Sequence, residues 1–148
     1  MTASTPRVTV IIATYNKSSA LSYAIDSVLW QTLENFEVLV IGDACTDNTE
    51  DVVAAYQDPR LFWYNLPQNS GYQSAPNNEG LRRARGEYIA YLNHDDLWLP
   101  NHLEVLVGRI EEDSADVAFS ILEVIRPGGR SHVEIPDYPH APLPPPAS

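Results

Sequence analysis

Val8-Thr9-Val10-Ile11-Ile12-Ala13 is a nearly continuous apolar run of strand length, the pattern of a strand buried on both faces of a parallel sheet. Asn16-Lys17-Ser18-Ser19 then offer caps to a helix whose Ala20, Leu21, Ala24, Ile25, Val28 and Leu29 share one face. Phe36-Glu37-Val38-Leu39-Val40-Ile41 reads as a second strand, leading into Gly42-Asp43-Ala44-Cys45. Asp47-Asn48-Thr49-Glu50 has capping-box spacing ahead of Val52, Val53 and Tyr56. Leu61-Phe62-Trp63-Tyr64 is a third strand, and Ser74-Ala75-Pro76 opens a helix through Leu81 and Ala84 that Gly86 can terminate. A fourth strand, Glu87 to Leu92, is followed by Pro100 and the periodic Leu103, Leu106, Val107 and Ile110 of another helix, and Asp116-Val117-Ala118-Phe119-Ser120 reads as a further strand. Strands alternating with helices predict an α/β fold with a doubly wound, mostly parallel sheet.

The end of the chain departs from that rhythm. Leu122 to Ile125 and Val133 to Ile135 flank Pro127-Gly128-Gly129, which predicts a β-hairpin. Six of the twelve prolines lie between Pro136 and Ser148, so an extended tail is expected there. The expected organisation is a flexible N-terminus over 1–6, one domain over 7–135 and a proline-rich tail over 136–148.

Charge narrows the range of partners. Nine Lys and Arg against 20 Asp and Glu give a net charge of −11, which repels nucleic acid and anionic membrane surfaces. A phosphorylated ligand then needs a metal ion or backbone amides to supply positive potential. The single Cys45 excludes an intrachain disulfide and a thiolate zinc cluster, so a reducing, cytoplasmic setting is expected. No apolar run approaches the ~18 residues of a transmembrane segment, and residues 1–6 lack signal-peptide character.

The candidate chemistry lies in Asn93-His94-Asp95-Asp96. Two carboxylates at the carboxyl end of a strand sit where α/β sheets bind ligands, and hard oxygen donors there suit a divalent cation shared with a ligand phosphate. Turn or cap duty is the competing reading for an isolated acidic pair. By residue type alone, Tyr15 can present a ring face to a planar base or pack as ordinary core edge. Asp43 can accept from an imide N–H or make an Asx turn. Thr46, Asp47 and Thr49 are assigned to capping. His94, His102, His132 and His140 show no metal-ligand spacing.

Four segments together, Val8 to Lys17, Gln31-Thr32, Val40 to Thr49 and Gly86 to Asp96, resemble in order and spacing the family 2 glycosyltransferases of GT-A fold, over roughly residues 7 to 120. The resemblance implies a nucleotide-sugar site in which Ala13, Thr14, Tyr15, Asp43, Asn78 and Asp95 contact the nucleotide. It further implies that Asp96, with Asp95, binds Mg or Mn. Sugar would pass from a nucleoside-diphosphate donor, UDP-linked, to an unknown glycan, lipid or small-molecule acceptor, with inversion. The general base is not found, because the family carries its acceptor site in a C-terminal half. That half is expected to be missing here or supplied by a partner subunit. A non-catalytic nucleotide-sugar binding module is the alternative. The chain departs from the pattern at Asn93, where the family often has Asp, and at Asn77, where it often has Arg. Arg82, Arg83 and Arg85 could compensate at the phosphates, or simply answer a helix dipole.

Overall fold

The computed structural model describes residues 5–125, 128 and 131–134. The elements run β1 (Val8–Thr14), α1 (Ser18–Leu29), β2 (Phe36–Gly42), α2 (Thr49–Ala54), β3 (Leu61–Asn65), α3 (Ser74–Arg83), β4 (Tyr88–Asn93) and α4 (His102–Asp113), followed by β5 (Leu122–Ile125) and β6 (Ser131–Glu134). The first four strands form a parallel sheet in the order β3-β2-β1-β4. The chain lays β2 and β3 on one side of β1, then returns to place β4 on the other, as a doubly wound sheet does.

Every residue of β1 and β2 is buried, which is why their sequences are continuously apolar rather than alternating. Side chains still divide by face. Val8, Val10, Ile12, Val38 and Val40 meet Leu21, Ala24, Ile25 and Val28 of α1 with Leu103 and Val107 of α4. Ile11, Leu39 and Ile41 form the opposite core with Phe62, Tyr64 and Ala84. On that second face α3 lies close to β1, where a Cβ at Gly80 would stand 2.6 Å from Ile11 Cγ2. Only glycine permits that approach without displacing a fully buried side chain.

The amino edge of the sheet is tied by a buried charge. Glu37 is 2% exposed and accepts from the Thr9 hydroxyl at 2.7 Å, the Arg85 amide at 2.9 Å and Arg85 Nε at 2.8 Å. The Thr9 hydroxyl oxygen in turn accepts from the Gly86 amide at 2.8 Å. A carboxylate this deep is tolerated because its oxygens are met by a guanidinium and by fixed donors.

Several local expectations are corrected. Helix α3 ends at Arg83, and its C-cap Ala84 turns extended. Gly86 is therefore not the terminator. It is small because a Cβ there would lie 2.4 Å from the Thr9 backbone nitrogen. Asp116 to Ser120 forms no strand: α4 closes at Ser114 in the left-handed region, and the following segment does not join the open edge of β4, so strand-forming composition alone is insufficient. The hairpin exists as β5 paired antiparallel with β6, Leu122 opposite Glu134 and Ile125 opposite Ser131. Its second strand begins two residues earlier than expected. At the N-terminus Pro6 is buried and the Thr5 carbonyl accepts from Asn35, so these two residues are held rather than flexible. Residues 1–4 and 136–148 lie outside the described residues.

Capping also differs from local expectation. Lys17, at the start of α1, makes no side-chain cap. The Ser18 amide donates instead to Asp47 Oδ2 at 3.3 Å, while Asp47 Oδ1 accepts from the Thr49 amide at 3.1 Å. One carboxylate thus serves the first turns of both α1 and α2. At α4 the cap is Gln31, 5% exposed. Its Oε1 accepts from the Leu103 amide at 2.9 Å, and its Nε2 donates to the Ser27 and Leu99 carbonyls at 3.0 and 2.7 Å.

Two stability outcomes follow from these caps. Gln31→Met preserves approximate shape but strands the Leu103 amide and takes one of two donors from the Leu99 carbonyl, which keeps the His102 amide at 3.0 Å. It should lower unfolding free energy by about 2–4 kcal/mol, measured by urea titration. For Asp47, burial raises the carboxyl pKa, but the Thr49 and Ser18 bonds outweigh that and hold it below 3.8. A depressed folded-state pKa stabilises above the unfolded value and is lost as pH falls through the folded one. Asp47→Ala should therefore be destabilised at neutral pH, with the gap to wild type narrowing below about pH 4 in thermal melts.

Candidate functional site

The carboxyl ends of β1, β2 and β4 open into a cleft of about 430 Å³, at the point where the strand order reverses around β1. Ala13, Thr14 and Tyr15 enter it from β1, Asp43 from β2, and Asn93, His94 and Asp95 from β4. The register explains their meeting: Thr14 is opposite Gly42 on one side, and Ala13 is opposite Asn93 on the other. The three strands therefore end at one level.

Thr14 is 3% exposed, and its hydroxyl is buried with no hydrogen-bond partner. The oxygen has no exposed surface, so it is an internal unmet group behind the cleft wall rather than a surface that a ligand touches. Tyr15 beside it is half exposed. His94 Nδ1 lies 3.2 Å from the Ala13 carbonyl. A carbonyl only accepts, so the proton sits on Nδ1 and Nε2 is left as an acceptor.

Asp43 is 5% exposed and holds the loop between β3 and α3. The Ser70 amide reaches both its oxygens, at 3.0 and 3.1 Å, while Oδ2 also accepts from the Ser70 hydroxyl at 3.0 Å and the Gly71 amide at 3.3 Å. Asn69 Nδ2 donates to the Asp43 carbonyl at 2.9 Å. This loop supplies Asn69, Gly71, Tyr72 and Gln73 to the cleft wall and α3 adds Pro76, none of them expected from the sequence. The Asn69-Ser70-Gly71 turn signal was present, but nothing local says that the loop folds onto β2.

The acidic pair divides its positions. Asp95 is exposed on the cleft wall, whereas Asp96 is half-buried, with Oδ2 accepting from Asn93 Nδ2 at 2.8 Å. Beyond it, Trp98 stacks on His102 with centroids 4.4 Å apart, and burial lowers the His102 pKa from 6.5. Among the described residues no cluster of three or more His, Cys, Asp or Glu could hold a metal alone. Two hard oxygen donors nonetheless fit a divalent ion that completes its shell from phosphate and water.

Three expectations do not line the cleft: Asp96 is not among the residues of its wall, and two more stand further off. Asn78 lies exposed on α3; Pro76 faces the cleft, and two residues further is roughly 200° around the helix. Arg82, Arg83 and Arg85 do not compensate at the phosphates either. The C-terminal end of α3 lies at the sheet's amino edge, where Arg82 and Arg83 pair with Glu79 and Arg85 with Glu37. Among the described residues no helix is long and apolar enough to cross a membrane.

Comparison with known proteins gives consistent findings. Residues 9–137 match the model of glycosyl transferase family 2. The succinoglycan biosynthesis protein ExoO of Rhizobium meliloti is 37% identical over 126 residues, 85% of this chain and 36% of its own length. The crystal structure of S. aureus TarS 1-349 in complex with UDP-GlcNAc superposes with TM-score 0.68 at 30% identity, covering 72% of this chain and 31% of that one. A mannosyltransferase from Pyrobaculum calidifontis, in complex with GDP-Man and Mn2+, gives TM-score 0.58 at 32% identity, covering 63% of this chain and 28% of that one. The chain spans less than half the length of the curated relatives it matches.

The orphan hydroxyl has a measurable consequence without any ligand. Thr14→Val keeps the volume and removes an unsatisfied buried group, so it should leave stability unchanged or raise it by about 1 kcal/mol in urea unfolding. A structural hydroxyl would show the opposite sign.

Proposed function

Because the chain belongs to glycosyl transferase family 2, we propose that its cleft binds the nucleoside diphosphate of a UDP-linked sugar donor and supplies the donor side of an inverting transfer to a glycan, lipid or small-molecule acceptor. The observation that carries this reading is the convergence of Thr14, Tyr15, Asp43 and Asp95 on one cleft at the carboxyl ends of the strands. The UDP-GlcNAc held by the TarS relative and the Mn2+ held by the mannosyltransferase support it.

Tyr15 offers a ring face to the base, with its hydroxyl left in water. Ala13 forms part of the floor, and its carbonyl orients His94. Asp43 keeps a lone pair on Oδ1 after serving Ser70, enough to accept an imide N–H, which uracil has and cytosine lacks. Asp95 reaches toward ribose or metal. Asp95 and Asp96 would hold Mg or Mn, and the bound ion supplies Lewis-acid stabilisation of the departing diphosphate. At a net charge of −11 the protein disfavours a bare diphosphate, so the sign of this electrostatic interaction depends on that charge pairing.

Calorimetric titration tests the reading. UDP should bind more tightly than CDP, and Mn2+ should tighten UDP binding by the same factor by which UDP tightens Mn2+ binding. Asp96→Asn should remove that coupling while leaving the melting temperature nearly unchanged. Asp43→Asn replaces an acceptor with a group that can also donate and should erode the preference for UDP over CDP. Equal wild-type affinity for the two nucleotides would sink base reading by Asp43, and metal-independent UDP binding would sink the role of Asp96.

A further inference from the structure

Two exposed tyrosines line the cleft, Tyr15 at 49% and Tyr72 at 76% exposure, and both are moored to the same residue. The Asp43 amide donates to the Thr14 carbonyl at 2.9 Å, one residue before Tyr15. From the other direction, the Gly71 amide donates to Asp43 Oδ2 at 3.3 Å, one residue before Tyr72. Asp43 therefore stands between the two tyrosines in the hydrogen-bonded framework of the cleft.

The backbone that carries Tyr72 is held in place. Gly71 has φ 72, and a Cβ there would meet nothing nearer than Asn69 Oδ1 at 4.0 Å. Glycine thus serves the left-handed conformation of this turn and not a shortage of space. The Ser70 hydroxyl lies 2.9 Å from the Tyr72 carbonyl, 3.2 Å from its amide and 3.0 Å from Asp43 Oδ2. On the far side, Gln73 Nε2 donates to Asn93 Oδ1 at 2.8 Å, which ties the entry of α3 to the end of β4. An exposed tyrosine on so constrained a backbone offers a large contact area to a ligand, with only its side-chain torsions left to fix on binding.

We propose that Tyr72 is a ligand-binding residue that closes over one face of the nucleotide base while Tyr15 covers the other, holding a planar heterocycle between two tyrosine rings with its edge at Asp43. This rests on the reading that the cleft binds the nucleoside diphosphate of a donor and that Asp43 meets the base. An aromatic face stacks on any base, so the two rings supply affinity and Asp43 supplies discrimination. The arrangement also answers the charge of the protein. At −11 its field repels the phosphates of the ligand, whereas stacking grips the uncharged end and does not depend on that field.

The test is calorimetry on the full chain at fixed Mn2+, with UDP and with inorganic pyrophosphate, for wild type, Tyr72→Phe, Tyr72→Leu, Tyr72→Ala and Tyr15→Ala. Proton NMR follows uracil H5 and H6 of bound UDP, because a ring stacked on the base shifts these resonances upfield. Tyr72 is exposed, so its variants should melt as wild type does by circular dichroism. Tyr72→Ala should weaken UDP about tenfold, within the range for removing one base–aromatic stack, and leave pyrophosphate unchanged. Tyr72→Phe should bind UDP as wild type does. Tyr72→Leu keeps apolar bulk without a π face and should fall close to the alanine variant. The upfield shift should shrink in Tyr72→Ala and also in Tyr15→Ala, since each ring contributes part of it. Wild-type UDP affinity and undiminished uracil shifts in Tyr72→Ala, with both reduced in Tyr15→Ala, would overturn the role of Tyr72 and leave the nucleotide reading standing. Equal weakening of UDP and pyrophosphate in Tyr72→Ala would also overturn it, by placing the ring at the phosphates. Failure of the wild type to bind UDP would overturn the nucleotide reading, and this proposal with it.

Discussion

The structure is organised around β1, a strand hydrogen-bonded on both sides and buried on both faces. A strand in that position can carry almost no polarity, and Val8 to Ala13 obeys the rule with Thr9 as its internal exception. Thr9 is admissible because its hydroxyl donates to Glu37 and accepts from Gly86. With β2 on one side and β4 on the other, the connections leave β1 in opposite directions, and a crevice opens at its carboxyl end. The cleft is thus a consequence of sheet order, and Thr14, the last residue of β1, stands at its centre.

What surrounds that crevice is held from a distance. The exit of the acidic loop is pinned by Gln31 on the α1–β2 connection, which fixes the Leu99 carbonyl and caps α4. Thr32 adds its amide on the Pro100 carbonyl at 2.8 Å and its hydroxyl on Glu104 at 2.7 Å. On the other flank, Asn16 Oδ1 accepts from the Thr46 amide at 2.8 Å, and Asn65 brackets Cys45 through its amide and carbonyl. Apart from the Thr32 contacts, each lock uses a side-chain amide to complete backbone groups on another element. The loops that carry the site are therefore ordered by partners 20 or more residues away.

Departures from backbone and hydrogen-bonding comfort gather at the same edge. Asn16, immediately after Tyr15, has φ 49, and Ala44, immediately after Asp43, has φ 59. Asn tolerates that region, but Ala pays about 1–2 kcal/mol for it. The orphan Thr14 hydroxyl adds an unsatisfied group between them. At the amino edge Glu37, Thr9, Arg85 and Gly86 saturate one another, although Arg7 Nε there is also buried without a partner.

The sequence by itself determined the α/β class and the four sheet strands to within about two residues, because buried-strand hydrophobicity is a local signal, while the grouping of Thr14, Tyr15, Asp43 and Asp95 came from the family resemblance of four segments in order and spacing. The same locality explains the misplacements. Asp116 to Ser120 has strand composition, but a strand needs a ladder; Gly86 looked like a helix stop, but its smallness answers the Thr9 backbone. Only the tertiary structure decided that Asp43 clamps the Ser70 loop, that Tyr72 and Gln73 wall the cleft and that Gln73 meets Asn93. It also decided that Asn78 and the three arginines of the α3 end stand apart from the site. Those outcomes depend on helix phase and strand register, which bring together residues separated by 20 to 81 positions, and no window along the chain contains that distance.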